Sequence, residues 1–164
     1  MPVAWYALVV KPNHEKAVFE HLKGSGLEVS LPLYRTRRRW SDRVKEVTLP
    51  LFPGYVFCRF SYGSRVPILR VPGVRSVVCA GSEPVPIPAR EIEAIEAVVR
   101  SGLPVKPWPF LKIGQKILVS SGPLRGVEGI LVEFRKTWQV IVSVELLHRS
   151  VAAEVDLDAI SPLT

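Results

Sequence analysis

The chain has 164 residues, 22 basic and 15 acidic, with a formal net charge of +7, 48% hydrophobic and 23% charged residues. That is the make-up of one ordinary or two small globular domains, not of a disordered chain. The longest stretch without a charge, Val47–Cys58, is 12 residues, short of the roughly 20 that a spanning helix needs, so no membrane segment is expected.

The apolar start, Met1–Val10, has no basic n-region and no small-residue cleavage site, and reads as a buried strand rather than a signal peptide. It is apolar on both faces from Val3 to Val10, as a central strand is. Asn13 sits where a helix N-cap belongs. His14–Lys23 then carries Ala17, Val18 and Leu22 on one side and is stopped by Gly24 and Gly26. Leu31–Arg39 and Val44–Leu49 form a predicted strand pair around Ser41-Asp42. Pro53-Gly54 makes a turn into a strand over Tyr55–Phe60. Pro67–Arg70 allows one helical turn before Pro72-Gly73, Val74–Cys79 is a further strand, and Pro88 opens a helix to Arg100 with Ile92, Ile95 and Val99 at helical spacing. A strand, a helix, several strands and a helix predict an α+β domain over residues 1–100, an antiparallel sheet flanked by helices.

Composition changes after residue 100. Residues 1–100 hold 15 basic and 9 acidic side chains, whereas residues 101–164 hold 7 and 6. Pro104, Pro107 and Pro109 stiffen residues 101–110 and deny them both helix and central strand, which predicts a linker. Residues 111–164 show no helical pattern. Lys116–Val119, Gly126–Phe134, Trp138–Val144, Arg149–Val155 and Leu157–Ile160 are short β-branched strands, the pattern of a small closed SH3-like β-barrel.

No active site is legible. His14, His21 and His148 have no carboxylate or cysteine at a ligand or triad spacing. Gly24-Ser25-Gly26 lacks the third glycine of a dinucleotide fingerprint, and there is no phosphate loop. Cys58 and Cys79 make no metal or redox spacing and are expected as core thiols of a cytoplasmic protein. The chain therefore reads as a binding protein without enzyme activity or cofactor.

Three segments stand out. Arg35, Arg37, Arg38, Arg39, Arg43 and Lys45 place six cations within eleven residues, with Trp40 at the tip. Strand alternation puts Arg35, Arg37 and Arg39 on one face. Such a hairpin attracts phosphates and offers an indole to stack on a base, or serves as a solvated edge that resists aggregation. Pro50–Phe57 is an apolar, aromatic turn, which either packs into its own core or anchors a protein partner. Ser121–Ile130 holds Gly122-Pro123, a turn, and Gly126 and Gly129, where the backbone bends or approaches closely.

Taken together, Trp5-Tyr6-Ala7-Leu8, Lys11-Pro12-Asn13-His14-Glu15 and Leu51-Phe52-Pro53-Gly54-Tyr55-Val56-Phe57 resemble the N-terminal domain of NusG transcription elongation factors. Lys116–Leu131 resembles the KOW motif of their C-terminal barrel, so the resemblance covers nearly the whole chain. It implies an N-terminal domain that binds the clamp helices of the largest RNA polymerase subunit, bridges the DNA channel, suppresses pausing and touches non-template or upstream DNA. By this resemblance Phe52, Tyr55 and Phe57 line the clamp-binding depression with Ile92 and Ile95 beside them. Arg65 and Ile68 fall where the family reaches the opposite jaw of the channel, and His21 lies where some members meet DNA. The hairpin Arg35–Lys45, including Arg37, Arg38, Arg39, Trp40 and Arg43, would face upstream nucleic acid. A ribosomal protein is a further partner implied for the KOW domain, and the factor is expected to be a monomer. Leu124, Arg125 and Val127 stand where housekeeping members carry aromatic residues, which resembles specialised antiterminator paralogues such as the RfaH and UpxY groups. The rival expectation is an RNA-binding module of the ribosomal KOW kind.

Overall fold

Val3–Val10 (β1), eight consecutive apolar residues, is a strand with cover on each face. The computed structural model describes residues 2–40, 43–111 and 113–163, with the backbone alone at Trp40. They divide into two compact units, Met1–Ala89 and Arg90–Thr164.

In the first unit β1 is followed by α1 (Glu15–Gly24), β2 (Glu28–Ser30), β3 (Leu33–Trp40), β4 (Arg43–Pro50), β5 (Tyr55–Ser61), the five-residue α2 (Arg65–Leu69), β6 (Val74–Val77) and a short hairpin of β7 (Cys79–Ala80) and β8 (Glu83–Pro84). β2, β5, β1 and β6 form one antiparallel sheet in that order, with Tyr6 opposite Cys58 and Leu8 opposite Val56. On that face Tyr6, Leu8, Val10, Val56, Cys58 and Phe60 meet Val18 and Leu22 of α1 in one apolar cluster. The other face carries Trp5, Ala7 and Phe57, which are also buried. β3 and β4 pair only with each other, from Leu33 opposite Pro50 out to Trp40 opposite Arg43.

Four local expectations are corrected. Asn13 is not the N-cap. It takes a left-handed φ of 65° in the turn after β1, a conformation that asparagine tolerates, and His14 occupies the cap position. The strand expected over Leu31–Arg39 is divided at Leu31-Pro32. Pro32 has no amide to donate, so β2 stays in the main sheet and β3 leaves it. Val74–Cys79 is likewise divided, with Val78 donating its amide to Ala7 and Cys79 turning into the short hairpin. Of the two cysteines only Cys58 is a core thiol: burial pushes it up to about 12, whereas Cys79 is exposed.

The second unit opens with α3 (Ala89–Arg100), whose buried residues are Ile92, Ile95 and Val98. β9 (Val105–Trp108), β10 (Gln115–Val119), β11 (Glu128–Phe134), β12 (Thr137–Val144), β13 (Arg149–Val155) and β14 (Ile160–Pro162) follow. Their antiparallel order is β14-β10-β11-β12-β13-β9. The proline-rich stretch read as a linker thus contains an edge strand, with Pro107 opposite Val151. Among the described residues no ladder joins β14 to β9, so the sheet is traced as open where a closed barrel is expected. Leu157–Ala159, expected as strand, is a 3-10 turn before β14.

The register puts Val140, Val142 and Val144 of β12 on one face with Val151, Ala153 and Val155 of β13, and these are buried. Ile130, Ile141 and Ala152 form a second cluster with Trp108, Leu111 and Val132. The turn after β10 is closed by hydrogen bonds from Gly126 to the carbonyl of Val119 and from Val119 to that of Val127. Burial pushes the Glu91 carboxyl of α3 upward, and the Glu145 carboxylate adds to the rise. The Glu145 amide, which donates to Glu91 Oε1 at 3.1 Å, and the Arg90 charge pull it back.

Gly129 sits where a Cβ would strike the carbonyl oxygen of Ile141 and the Cγ2 of Val140. The close approach expected of this glycine is therefore made by backbone, which cannot swing aside as a side chain can. Gly129→Ala is expected to destabilise the second unit by about 1–3 kcal/mol. Thermal unfolding of the full chain checks this, and an unchanged midpoint would contradict it.

Candidate functional site

The aromatic turn begins where β4 ends. Leu51 donates its amide to the carbonyl of Pro32, which closes the base of the β3–β4 ribbon, and Tyr55 donates to the carbonyl of Phe52. Between them Pro53 is exposed, and Gly54 holds a left-handed φ of 86°, which a residue with a side chain rarely adopts. Strand alternation in β5 then sends Tyr55 and Phe57 to one face and Val56 and Cys58 to the other. Phe57 is opposite Ala7 in β1 and Ser30 in β2, two small residues that leave room for its ring. Phe52 meets it edge-on, with ring centroids 5.4 Å apart.

Both rings are buried, Phe52 at 1% and Phe57 at 0% exposure, as are Ile68, Ile92 and Ile95. Tyr55 and Arg65 are half-buried. Of the two alternatives for the turn, Phe52 and Phe57 follow the core one, and Tyr55 is the aromatic that reaches the surface. Ile92 and Ile95 lie on α3, in the second unit. Arg65 is held by its own neighbourhood: its guanidinium lies 4.5 Å from the ring centre of Tyr62, and it donates to the Tyr62 carbonyl at 3.1 Å.

The turn is fixed by a residue to which sequence reasoning gave no role. Glu15, in the first turn of α1, is 6% exposed, and its Oε2 accepts the amide of Gly54 at 3.0 Å. The carbonyl of Gly54 in turn accepts the amide of Val10 at 2.9 Å. A signal was available: Glu15, Val18 and Leu22 are spaced as one helical face, so a charged side chain stands on the buried stripe of α1.

The basic hairpin opens to solvent from its base toward its tip. Tyr34, Val47, Thr48 and Leu49 at the base are half-buried, while Arg35, Arg37, Arg38, Arg39, Arg43, Val44, Lys45 and Glu46 are exposed. Lys16 of α1 donates to the carbonyl of Thr48 and ties the base down. Arg35 and Glu46 are 3.8 Å apart with both side chains mostly in solvent, so the pair contributes little to stability. Ser41, Asp42 and the side chain of Trp40 lie outside the described residues. His21 is exposed in the last turn of α1, away from the ribbon in sequence and beside Lys23, where a basic group suits the helix terminus. Among the described residues no three His, Cys, Asp or Glu side chains are grouped to hold a metal ion, and no helix is long and apolar enough to cross a membrane.

In the second unit Leu124 is 1% exposed, so of the turn residues Leu124 and Arg125 only the arginine is presented outward. Trp108 and Phe134 meet edge-on at 5.2 Å, with the ammonium of Lys106 3.7 Å from the centre of Phe134.

These placements separate the roles of three residues in the first unit. Phe52→Ala is expected to cost about 3–5 kcal/mol, as a buried ring does, and Glu15→Ala about 1–3 kcal/mol because it leaves the Gly54 amide without its acceptor. Tyr55→Ala is expected to cost about 1 kcal/mol or less. Denaturant titrations of the three variants check the order, and a Tyr55 variant as unstable as the Phe52 variant would contradict it.

A family model described as "NusG: Transcription termination factor nusG" matches residues 3–96. A "Transcription termination/antitermination protein NusG" of Thermus thermophilus is 28% identical over 183 aligned positions that span 98% of each chain. A protein of the same description from Lactococcus lactis is 24% identical, covering 97% of this chain and 92% of its own. The solved structure described as "Domain interaction in Thermotoga maritima NusG" aligns with a TM-score of 0.60 at 23% identity over 100% of this chain and 99% of that one, a likeness of fold. Since the family model takes in more than half of the sequence, including both motif segments that the Glu15–Gly54 hydrogen bond joins, the chain belongs to the NusG family.

Proposed function

We propose that this chain is a transcription elongation and antitermination factor that works by binding, without making or breaking a covalent bond. Its partner is RNA polymerase, through the clamp helices of the largest subunit, and its effect is to bridge the DNA channel and suppress pausing. The names of its relatives, termination and antitermination proteins, support the process. The single observation that carries the reading is the aromatic turn, in which Phe52 and Phe57 are buried edge-on, Tyr55 is half-buried, and the Gly54 amide between them is held by Glu15. A rigid aromatic at a partly open surface is the kind of anchor on which protein interfaces concentrate their energy. In this reading Tyr55 makes the contact, and the buried Phe52 and Phe57 shape the turn that carries it. Arg65, packed on Tyr62, and the buried Ile68 shape the second contact, toward the opposite jaw of the channel.

The ribbon Arg35–Lys45, with Arg37, Arg38, Arg39, Trp40 and Arg43, supplies phosphate attraction toward non-template or upstream DNA, and His21 belongs to the same proposed contact. Residues 1–100 form the polymerase-binding part, residues 101–110 the connection, and residues 111–164 a KOW domain whose strands curl into an SH3-like barrel. The protein acts in the cytoplasm as a monomer and uses no cofactor.

The test is binding of the full chain to core RNA polymerase. Tyr55→Ala is expected to lose about 2 kcal/mol of binding, the scale of an anchor residue, while its unfolding midpoint stays near that of the parent. Unchanged affinity would overturn the assignment of the aromatic turn.

The KOW turn favours a specialised paralogue that takes no part in Rho-dependent termination. Its one large apolar side chain, Leu124, is buried, and Arg125 is exposed without an aromatic beside it in the turn. In single-round transcription the protein is expected to prolong elongation without stimulating Rho-dependent release. Enhanced release that disappears when residues 101–164 are deleted would return the chain to the housekeeping group.

A further inference from the structure

The β3–β4 ribbon carries cations on both of its faces. The register sets Arg35 opposite Thr48, Arg37 opposite Glu46 and Arg39 opposite Val44 on one face. On the other, Thr36 is opposite Val47, Arg38 opposite Lys45, and Trp40 opposite Arg43. Alternation along β3 reveals only the first set, because Arg43 and Lys45 join Arg38 through the pairing of the strands. The second face therefore sets two cations, Arg38 and Lys45, directly opposite each other. On the first face Glu46 stands opposite Arg37 and lies within 3.8 Å of Arg35.

We propose that this ribbon enters the major groove of B-form duplex DNA, with each face turned toward one phosphate wall. The proposal rests on the reading of the hairpin as a nucleic-acid contact and names the ligand of that site. A ribbon that lies flat on a polyanion uses one face, and cations on the reverse then face water. A ribbon between two rows of phosphates uses both. The dimensions agree: two strands lie about 4.8 Å apart and rise about 3.3 Å per residue, so the six residue pairs from Arg35 to Trp40 make a blade about 20 Å long. The major groove of B-DNA is about 12 Å wide and 8.5 Å deep and admits a two-stranded ribbon. The major groove of A-form RNA is too narrow for side chains to read, and a single strand presents one row of phosphates.

Two further features fit a blade. β3 and β4 pair with no third strand among the described residues, and exposure rises from the half-buried Tyr34 and Leu49 at the base to exposed residues beyond Arg37 and Glu46. Val44 is 61% exposed beside Arg39 on the first face, an apolar group of the kind that meets a thymine methyl in the major groove.

The experiment compares two triple variants of the full chain, Arg35→Gln with Arg37→Gln and Arg39→Gln, and Arg38→Gln with Arg43→Gln and Lys45→Gln. Binding to a 30-base-pair DNA duplex is followed by fluorescence anisotropy across a salt series, with an RNA duplex of the same sequence in parallel. Each triple is expected to lower the slope of log K against log salt by roughly 2–3, about 0.9 for each phosphate that is no longer neutralised. Guanine N7 atoms of the bound DNA are expected to be protected from dimethyl sulfate, and the RNA duplex to bind more weakly. Arg→Lys versions of the first triple, and of Arg38 and Arg43, keep the charges and are expected to restore the slope, which separates charge from misfolding. A slope moved by one triple alone would mean a ribbon lying on one face and would overturn the proposal, as would RNA binding as tight as DNA binding or N7 atoms left unprotected. If neither triple moves the slope, the nucleic-acid reading of the hairpin fails with it.

Discussion

The presentation of the aromatic turn depends on one hydrogen bond, from the amide of Gly54 to the carboxylate oxygen of Glu15. A turn that carries two phenylalanines would ordinarily collapse with its sequence neighbours or stay mobile. Here its backbone is held from both sides, by Glu15 at the amide and by Val10 at the carbonyl. Because Val10 ends β1 and Glu15 begins α1, the same link positions the helix against the sheet. Burying an acid is costly unless its oxygens are satisfied, and the Gly54 amide is the partner that meets the need. The left-handed conformation of Gly54 aims that amide, so glycine at 54 and glutamate at 15 are two halves of one device.

The division of work between the aromatic rings follows from strand geometry. Phe57 points into the sheet face lined by Trp5 and Ala7, and Phe52 packs on it edge-on. Tyr55, two residues earlier on the same side of β5, lies at the margin where the sheet ends. A phenol suits such a margin, since its ring packs while its hydroxyl stays wet. The rings that look alike in sequence thus differ in what they do, and burial alone tells them apart.

Much of this fold was legible in the chain. β1 is read from its two-sided apolar run, α1 from Val18 and Leu22 with its glycine stop, and the β3–β4 pair from two strands about Ser41-Asp42. In each case a local pattern carries the information. What local pattern does not carry is pairing between distant segments. Pro32 removes β3 from the main sheet, yet nothing near it says that Glu28–Ser30 will pair with β5. Glu15 and Gly54 are 39 residues apart, and although Glu15 stands out on the apolar stripe of α1, nothing beside it names Gly54 as its partner. Pro104, Pro107 and Pro109 suggested a connector because proline excludes a central strand, and the chain takes the remaining option of an edge. For the site, the cations were visible from composition, whereas their partition between two faces needed the strand register.

The same proline chemistry has a consequence at the opposite border of the second sheet. Its two outermost strands each contain a proline, Pro107 in β9 and Pro162 in β14. A strand edge is a template for further strands, and a proline interrupts its row of amide donors. Neither border can thus offer an unbroken ladder to a second chain. A small, valine-rich sheet is the sort of element that seeds fibrils when its edges are open. Here the covalent structure guards both borders against strand addition.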